Sequence, residues 1–222
     1  MQFHPAVTYE TFVAGISPQL DGKSLNFQVK PGWLVEALRQ SQEKPFLLHA
    51  DEINRADLAR VLGEAIYLFE PREIHEGKPR TIKLPQPLEN GSDCVSMPKD
   101  FYLLGTMNTA DRSIAIMDMA VRRRFAFVDM WPDIDVVANQ NIPLATEAFA
   151  MLQDTFSQYA SDDSFCLMPG HSYFLAVGEE ELAARFRYEL LPLLREYLNE
   201  GRIASFDTEL RTYNDWLDNM VR

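Results

Sequence analysis

Apolar and polar residues alternate along Ser24–Lys30 (SLNFQVK), with Leu25, Phe27 and Val29 on one side. This is the period-two mark of a half-buried strand, and Pro31-Gly32 ends it. Trp33–Gln40 then has the spacing of a short amphipathic helix. The compact apolar run Pro45–Ala50 predicts a buried strand and stops at Asp51-Glu52. Beyond it the period changes: Leu58, Val61, Leu62, Ala65, Ile66 and Phe69 share one helical face, and Pro71 is expected to stop that helix. Residues 72–98 carry Gly77, Pro79, Pro85, Pro87, Asn90-Gly91 and Pro98 and read as loop and hairpin. Phe101–Met107 is a second buried strand, followed by polar Asn108–Ser113, a helix over Ser113–Arg123 and strand character at Phe125–Val128. Continuous apolar strands alternating with helices predict an α/β fold whose mostly parallel sheet is covered on both faces.

After Trp131-Pro132 helical periodicity dominates, over 143–160, 179–199 and 205–221, with a strand-like piece at His171–Val177. Pro192 either kinks its helix or opens a second one. The expected division is an α/β core over residues 1–135 and a small, mostly helical domain over 136–222.

Charge narrows the function classes. With 21 basic and 33 acidic residues the formal net charge is −12, which opposes a surface that holds nucleic acid by phosphate neutralisation. Any DNA contact is expected to be local or indirect. At 46% hydrophobic residues the chain can bury a sizeable core, so charge-driven disorder is excluded. Cys94 and Cys166 lie far apart and in no metal-ligand spacing, which suits a reducing compartment and points to the cytoplasm. No signal peptide is visible at the N-terminus, and the apolar runs fall far below the ~20 residues of a membrane helix.

Candidate chemistry gathers at the strand ends. Asp51-Glu52 puts two carboxylates at the carboxyl edge of a parallel sheet, where open α/β folds bind ligands. In phosphoryl transfer the first such group holds Mg²⁺ and the second polarises water; an acidic helix N-terminus is the alternative. Asn108, at the end of the second strand, can hold a water or a terminal phosphate, or simply cap a turn. Arg122-Arg123-Arg124 places three guanidinium groups where a helix runs into a strand. They suit phosphate contact or, more plainly, a helix C-terminus.

HADEINRADLARVLGEAIYLFEP (49–71) and FYLLGTMNTADRSIAIMDMAVRRRFAFVDMWP (101–132) closely resemble the AAA+ module of the McrB family, the GTP-hydrolysing motors of modified-cytosine restriction systems, and its dynein-related relatives. FHPAVTYETFVAGISP, PGHSYFL (169–175) and YELLPLLREYL (188–198) extend the resemblance over nearly the whole chain. It implies an AAA+ P-loop NTPase-like parallel sheet flanked by helices and a helical lid. It also implies Mg²⁺ with ATP or GTP, an oligomeric and by expectation hexameric ring, and a nuclease partner subunit. Asp51 then stands as the Mg²⁺-associated aspartate, Glu52 as the water-activating glutamate and Asn108 as the sensor. Asp111 and Arg112 fall in the signature loop, and Arg123 and Arg124 reach a neighbouring subunit's nucleotide. His171 and Arg187 stand near the lid's second nucleotide sensor. His49 replaces an aliphatic residue of the family, as a core histidine can.

One element of that pattern has no match. No G-x-x-x-x-G-K-[ST] occurs in the 222 residues; Gly22-Lys23-Ser24 lacks the first glycine, Ser17 standing there, and reads as a hairpin turn. In the family the phosphate loop and its strand precede the FHP segment, and that strand lies mid-sheet. The resemblance thus implies the C-terminal two-thirds of a module, with weak or no nucleotide binding by this chain alone. A nucleotide-blind assembly module, or a fragment that binds intact subunits, is the alternative.

Overall fold

The computed structural model describes residues 1–221 apart from 22–23, 42–43, 86, 89–90 and 111–116. Two compact units meet between Phe127 and Val128. Val128–Asp135, grouped with the first domain by sequence, thus falls in the second unit. There Asp133 caps a helix through its own carboxylate, which accepts from the Asp135 N–H at 2.9 Å.

In the first unit a short helix α1 (Tyr9–Phe12) leads into the antiparallel ribbon β1 (Ala14–Asp21) and β2 (Ser24–Pro31). The register runs from Ala14 opposite Pro31 to Asp21 opposite Ser24; Gly22-Lys23 itself lies outside the described residues. The ribbon is as the alternation predicts, but its burial is not. Val29 is buried while Ile16, Leu20, Leu25 and Phe27, on the same face, are exposed. Helix α2 (Trp33–Gln40) buries Leu34, Val35, Ala37 and Leu38, and Gly32 at its N-cap has no room for a side chain: a Cβ would lie 2.4 Å from the Phe12 carbonyl carbon.

Strand β3 (Phe46–Ala50) is followed by a 3-10 turn, Ile53–Arg55, and helix α3 (Leu58–Leu62). The helix predicted through Phe69 breaks at Gly63, whose φ of +50° is left-handed, and continues as 3-10 turns over Gly63–Leu68. Pro71 opens rather than closes a helix, since its missing N–H costs nothing at the first position of α4 (Pro71–His75). The hairpin expected in 72–98 is β4 (Thr81–Lys83) against β5 (Cys94–Ser96).

Strand β6 (Phe101–Gly105) pairs in parallel with β3, Phe46 opposite Phe101 through Ala50 opposite Gly105. Met1–Phe3 bonds the far edge of β3: the Asp51 N–H donates to Met1 O and the Phe3 N–H to Asp51 O, both at 2.8 Å. One sheet face, with Leu48, Ala50 and Phe101, joins a core that includes Phe3, Phe12, Leu34 and Leu62. No strand forms at the predicted Phe125–Val128, because a strand needs a neighbour's backbone and none of the described residues pairs with it. The helix predicted over 113–123 is shorter: α5 (Met119–Arg122) begins after Asp118, whose carboxylate caps it by accepting from the Ala120 N–H at 2.7 Å, and residues 113–116 lie outside the described residues.

The second unit is helical throughout: α6 (Ile134–Ala138), α7 (Pro143–Tyr159), α8 (Asp162–Phe165), α9 (Glu179–Arg185), α10 (Leu191–Asn199) and α11 (Asp207–Met220). The strand-like piece at 171–177 is instead a 3-10 turn, His171–Phe174; its apolar residues serve a helical core, Phe174 packing edge-on to Phe149 and Phe186 at 5.1 and 5.5 Å. A π-turn, Phe186–Leu190, joins α9 to α10 just before Pro192. Residues 179–199 thus form one helix whose widened turn accommodates the proline. Among the described residues no helix is long and apolar enough to cross a membrane.

Candidate functional site

The two parallel strands bring their carboxyl ends together. The Thr106 N–H donates to Ala50 O at 3.0 Å and the Ile53 N–H to Thr106 O at 2.9 Å, so the ladder continues past both strands. The Thr106 hydroxyl, 2.5 Å from Asp51 Oδ1, donates to it. Sequence reasoning passed over this threonine, whose side chain orients the first carboxylate. Glu52 follows in the left-handed conformation, φ 55° and ψ 41°, an uncommon state for a residue with a Cβ and one that concentrates at functional sites. Its carboxylate pairs with Arg55 at 3.3 Å.

Asn108 is exposed just beyond β6 and its Oδ1 accepts from the Ala110 N–H at 3.0 Å, the turn-capping alternative. Its carbonyl accepts from Asn54 Nδ2 at 3.1 Å. Asn54 is buried with Oδ1 unpartnered. This asparagine, also missed from sequence, ties the turn after β3 to the turn after β6. The signal was there in Asp51-Glu52-Ile53-Asn54, where a polar residue follows an apolar one at the edge of a core. Asp111 and Arg112 lie outside the described residues.

The three arginines diverge. Arg122 and Arg123 are exposed, Arg122 lying 5.1 Å from the Phe127 ring centroid. Arg124 is buried at 7% exposure. Its Nη1 donates to Ala120 O at 2.6 Å and its guanidinium lies 5.9 Å from the Tyr67 ring. Of the two arginines expected to reach a neighbour, only Arg123 is presented outward.

In the second unit His171 Nδ1 accepts from the Asp133 N–H at 3.2 Å, so the proton of a neutral ring sits on Nε2. Arg187 donates to Val221 O at the end of α11. The arginine bonded to the His171 turn is Arg185, which donates to Ser172 O at 3.0 Å and pairs with Glu181 at 3.2 Å.

An acidic strand end beside a hydroxyl, a left-handed glutamate and an exposed asparagine thus gather at one end of the parallel pair. Residues 1–125 match the AAA domain, dynein-related subfamily, and residues 158–204 match the McrB alpha-helical lid domain. The chain belongs to the dynein-related, McrB-type AAA+ proteins. It is 31% identical over 219 residues, 89% of its length, to the type IV methyl-directed restriction enzyme EcoKMcrB subunit of Escherichia coli K12, covering 46% of that protein. It is 25% identical over 156 residues, 56% of its length, to the type II restriction enzyme BsuMI component YdiS of Bacillus subtilis 168, again covering 46%. The chain thus spans about half the length of the curated relatives it matches.

AAA+ proteins of this kind generally use nucleotide with Mg²⁺, and the donors here fit that ion. Asp51 and Thr106 offer hard oxygens at one point, the ligand type that suits Mg²⁺.

Proposed function

We propose that this AAA+ module takes part in ATP or GTP hydrolysis within a McrB-like ring motor that serves DNA restriction in the cytoplasm. Asp51 with Thr106 would hold Mg²⁺, which supplies charge neutralisation for the transferring phosphoryl group. Glu52 orients and deprotonates the attacking water, and Arg55 pairs with its carboxylate at 3.3 Å. Asn108 offers its amide NH₂ to water or phosphate, while Arg123 extends to the nucleotide of the next subunit. His171 contacts nucleotide from the lid, whereas Arg187 is taken up by Val221 O. A nuclease subunit and DNA are engaged through other parts of the assembly, consistent with a net charge of −12.

The observation that carries this reading is the convergence of Asp51, Glu52 and Asn108 at one edge of the parallel pair β3–β6. The test joins to this chain a strand and loop bearing G-x-x-x-x-G-K-[ST]. Turnover of GTP or ATP should appear, and Glu52→Gln should lower it at least ~100-fold while sparing binding. Turnover intact in Glu52→Gln removes the role given to that residue.

The outward Arg123 also favours a second reading, in which the chain completes a neighbour's site without binding nucleotide itself. Mixing it with the Escherichia coli relative should then change that protein's hydrolysis rate, and Arg123→Ala should cancel the change. No association between the two removes this alternative.

A further inference from the structure

Helices α10 and α11 of the second unit pack around a cleft that contains none of the residues given a role above. Its volume is about 270 Å³, and Arg195, Leu198, Asn199, Arg211, Asn214 and Asp215 line it. The residues on each helix are spaced i, i+3 and i+4, so each helix presents them on one face. The size suits a small molecule: a water occupies about 30 Å³ of liquid, and pockets for drug-sized ligands start near ~300 Å³.

The lining carries both signs of charge and one unmet hydrogen bond. Arg211 forks Asp207, its Nε and Nη2 donating at 2.8 and 3.1 Å. Arg195 Nη2 donates to Asp218 at 3.1 Å. A guanidinium has more N–H donors than one carboxylate takes up, so these pairs hold the two forks and leave donors for a further anion. Asn214 is 6% exposed, and its buried Oδ1 has no hydrogen-bond partner among the described residues. Its Nδ2 reaches Asp215 Oδ1 only at 3.4 Å, a long contact. A buried acceptor without a donor is costly and calls for one from outside the chain.

Group-by-group matching selects the ligand chemistry. A plain anion satisfies the arginines but meets the Asp215 carboxylate and leaves Asn214 Oδ1 unpaired. A plain cation meets two guanidinium groups. A molecule with a carboxylate and an ammonium side by side answers both. We propose that the α10–α11 cleft is a binding site for a free acidic α-amino acid, glutamate or aspartate. Arg211 takes the α-carboxylate, and Asp215, one turn along the same helix, takes the ammonium together with Asn214 Oδ1. Arg195, on the facing helix, meets the side-chain carboxylate. The site shares no residue with the strand ends at Asp51 and Asn108 and does not rest on the nucleotide reading.

The test titrates the whole chain with L-glutamate and L-aspartate by calorimetry. One of them should bind with a Kd of about 1 mM or tighter, and the Asn214 side-chain NH₂ signal should shift in nitrogen-edited NMR spectra. N-acetylation, conversion of the α-carboxylate to its amide, or use of L-lysine instead should each weaken binding ~tenfold or more. Arg211→Gln and Asp215→Asn should do the same; both positions are exposed, so thermal melting should show the fold retained. The proposal is overturned if neither acid binds, in which case ordered water fills the cleft, or if both variants bind as the parent does. It is equally overturned if the Asn214 signal stays in place, or if a blocked form or lysine binds as tightly. Equal binding of the N-acetylated form would assign the cleft to a peptide carboxyl terminus, and of the amide form to an amine.

Discussion

Glu52 sits where backbone strain and candidate chemistry coincide. Its left-handed conformation costs a residue with a Cβ about 1–2 kcal/mol, while the half-exposed pair with Arg55 returns less than about 1 kcal/mol. Glu52→Gly should therefore match or exceed the parent in urea stability, by up to about 1 kcal/mol, while losing the carboxylate. A clear loss of stability would mean that the local contacts outweigh the strain. The arginines separate in the same assay. Arg124→Ala should cost about 2 kcal/mol, because it opens packing and leaves Ala120 O without its donor. Arg123→Ala, exposed, should stay within ~0.5 kcal/mol.

At the scale of elements, Gly63 divides what periodicity joined. The apolar spacing from Leu58 to Phe69 is helical throughout, yet Gly63 turns left-handed beneath the Tyr9 ring, and a Cβ there would stand 3.0 Å from a ring carbon. Tyr9 in turn donates to Glu64 at 2.6 Å, so the break seats α1 against α3. Gly63→Ala is expected to cost at least about 1–2 kcal/mol and to lower the melting temperature by several degrees. An unchanged melting temperature would show that the conformation is not required. The π-turn before Pro192 is the opposite case, an element that stays whole because one widened turn absorbs a residue that regular helix cannot hold.

For the whole molecule, the second unit carries its own core, with Phe149, Phe156, Phe174, Phe186 and Phe206 buried. Burial is also the first cause that pushes the Tyr197 phenol up to about 12, and it raises Tyr213, which donates to Ala148 O at 2.9 Å. A phenol whose folded pKa exceeds its unfolded value leaves the folded state holding more protons at alkaline pH. Stability is therefore full below about pH 10 and falls as pH rises toward 12. Urea unfolding of the chain across that window should show the loss, and Tyr197→Phe should lessen it, with Tyr213 and Tyr9 carrying the rest. Unaltered pH dependence in the variant would assign the loss elsewhere.

The amino-acid sequence by itself determined what depends on neighbours along the chain: the parallel strands ending at Asp51 and Asn108, helix α2, helix α7 and the motifs that mark the family. These rest on local period and residue type, which the chain carries wherever it folds. Only the tertiary structure decided what depends on distant partners. Arg123 and Arg124 are identical in type, and Tyr67, far away in sequence, draws one of them into the core. Thr106 and Asn54 became site residues because β6 brought them to β3. Arg185, rather than Arg187, found the His171 turn because the helical phase of α9 faces it. Phe125–Val128 has the composition of a strand and forms none, since a strand is a relation between two segments and composition describes only one.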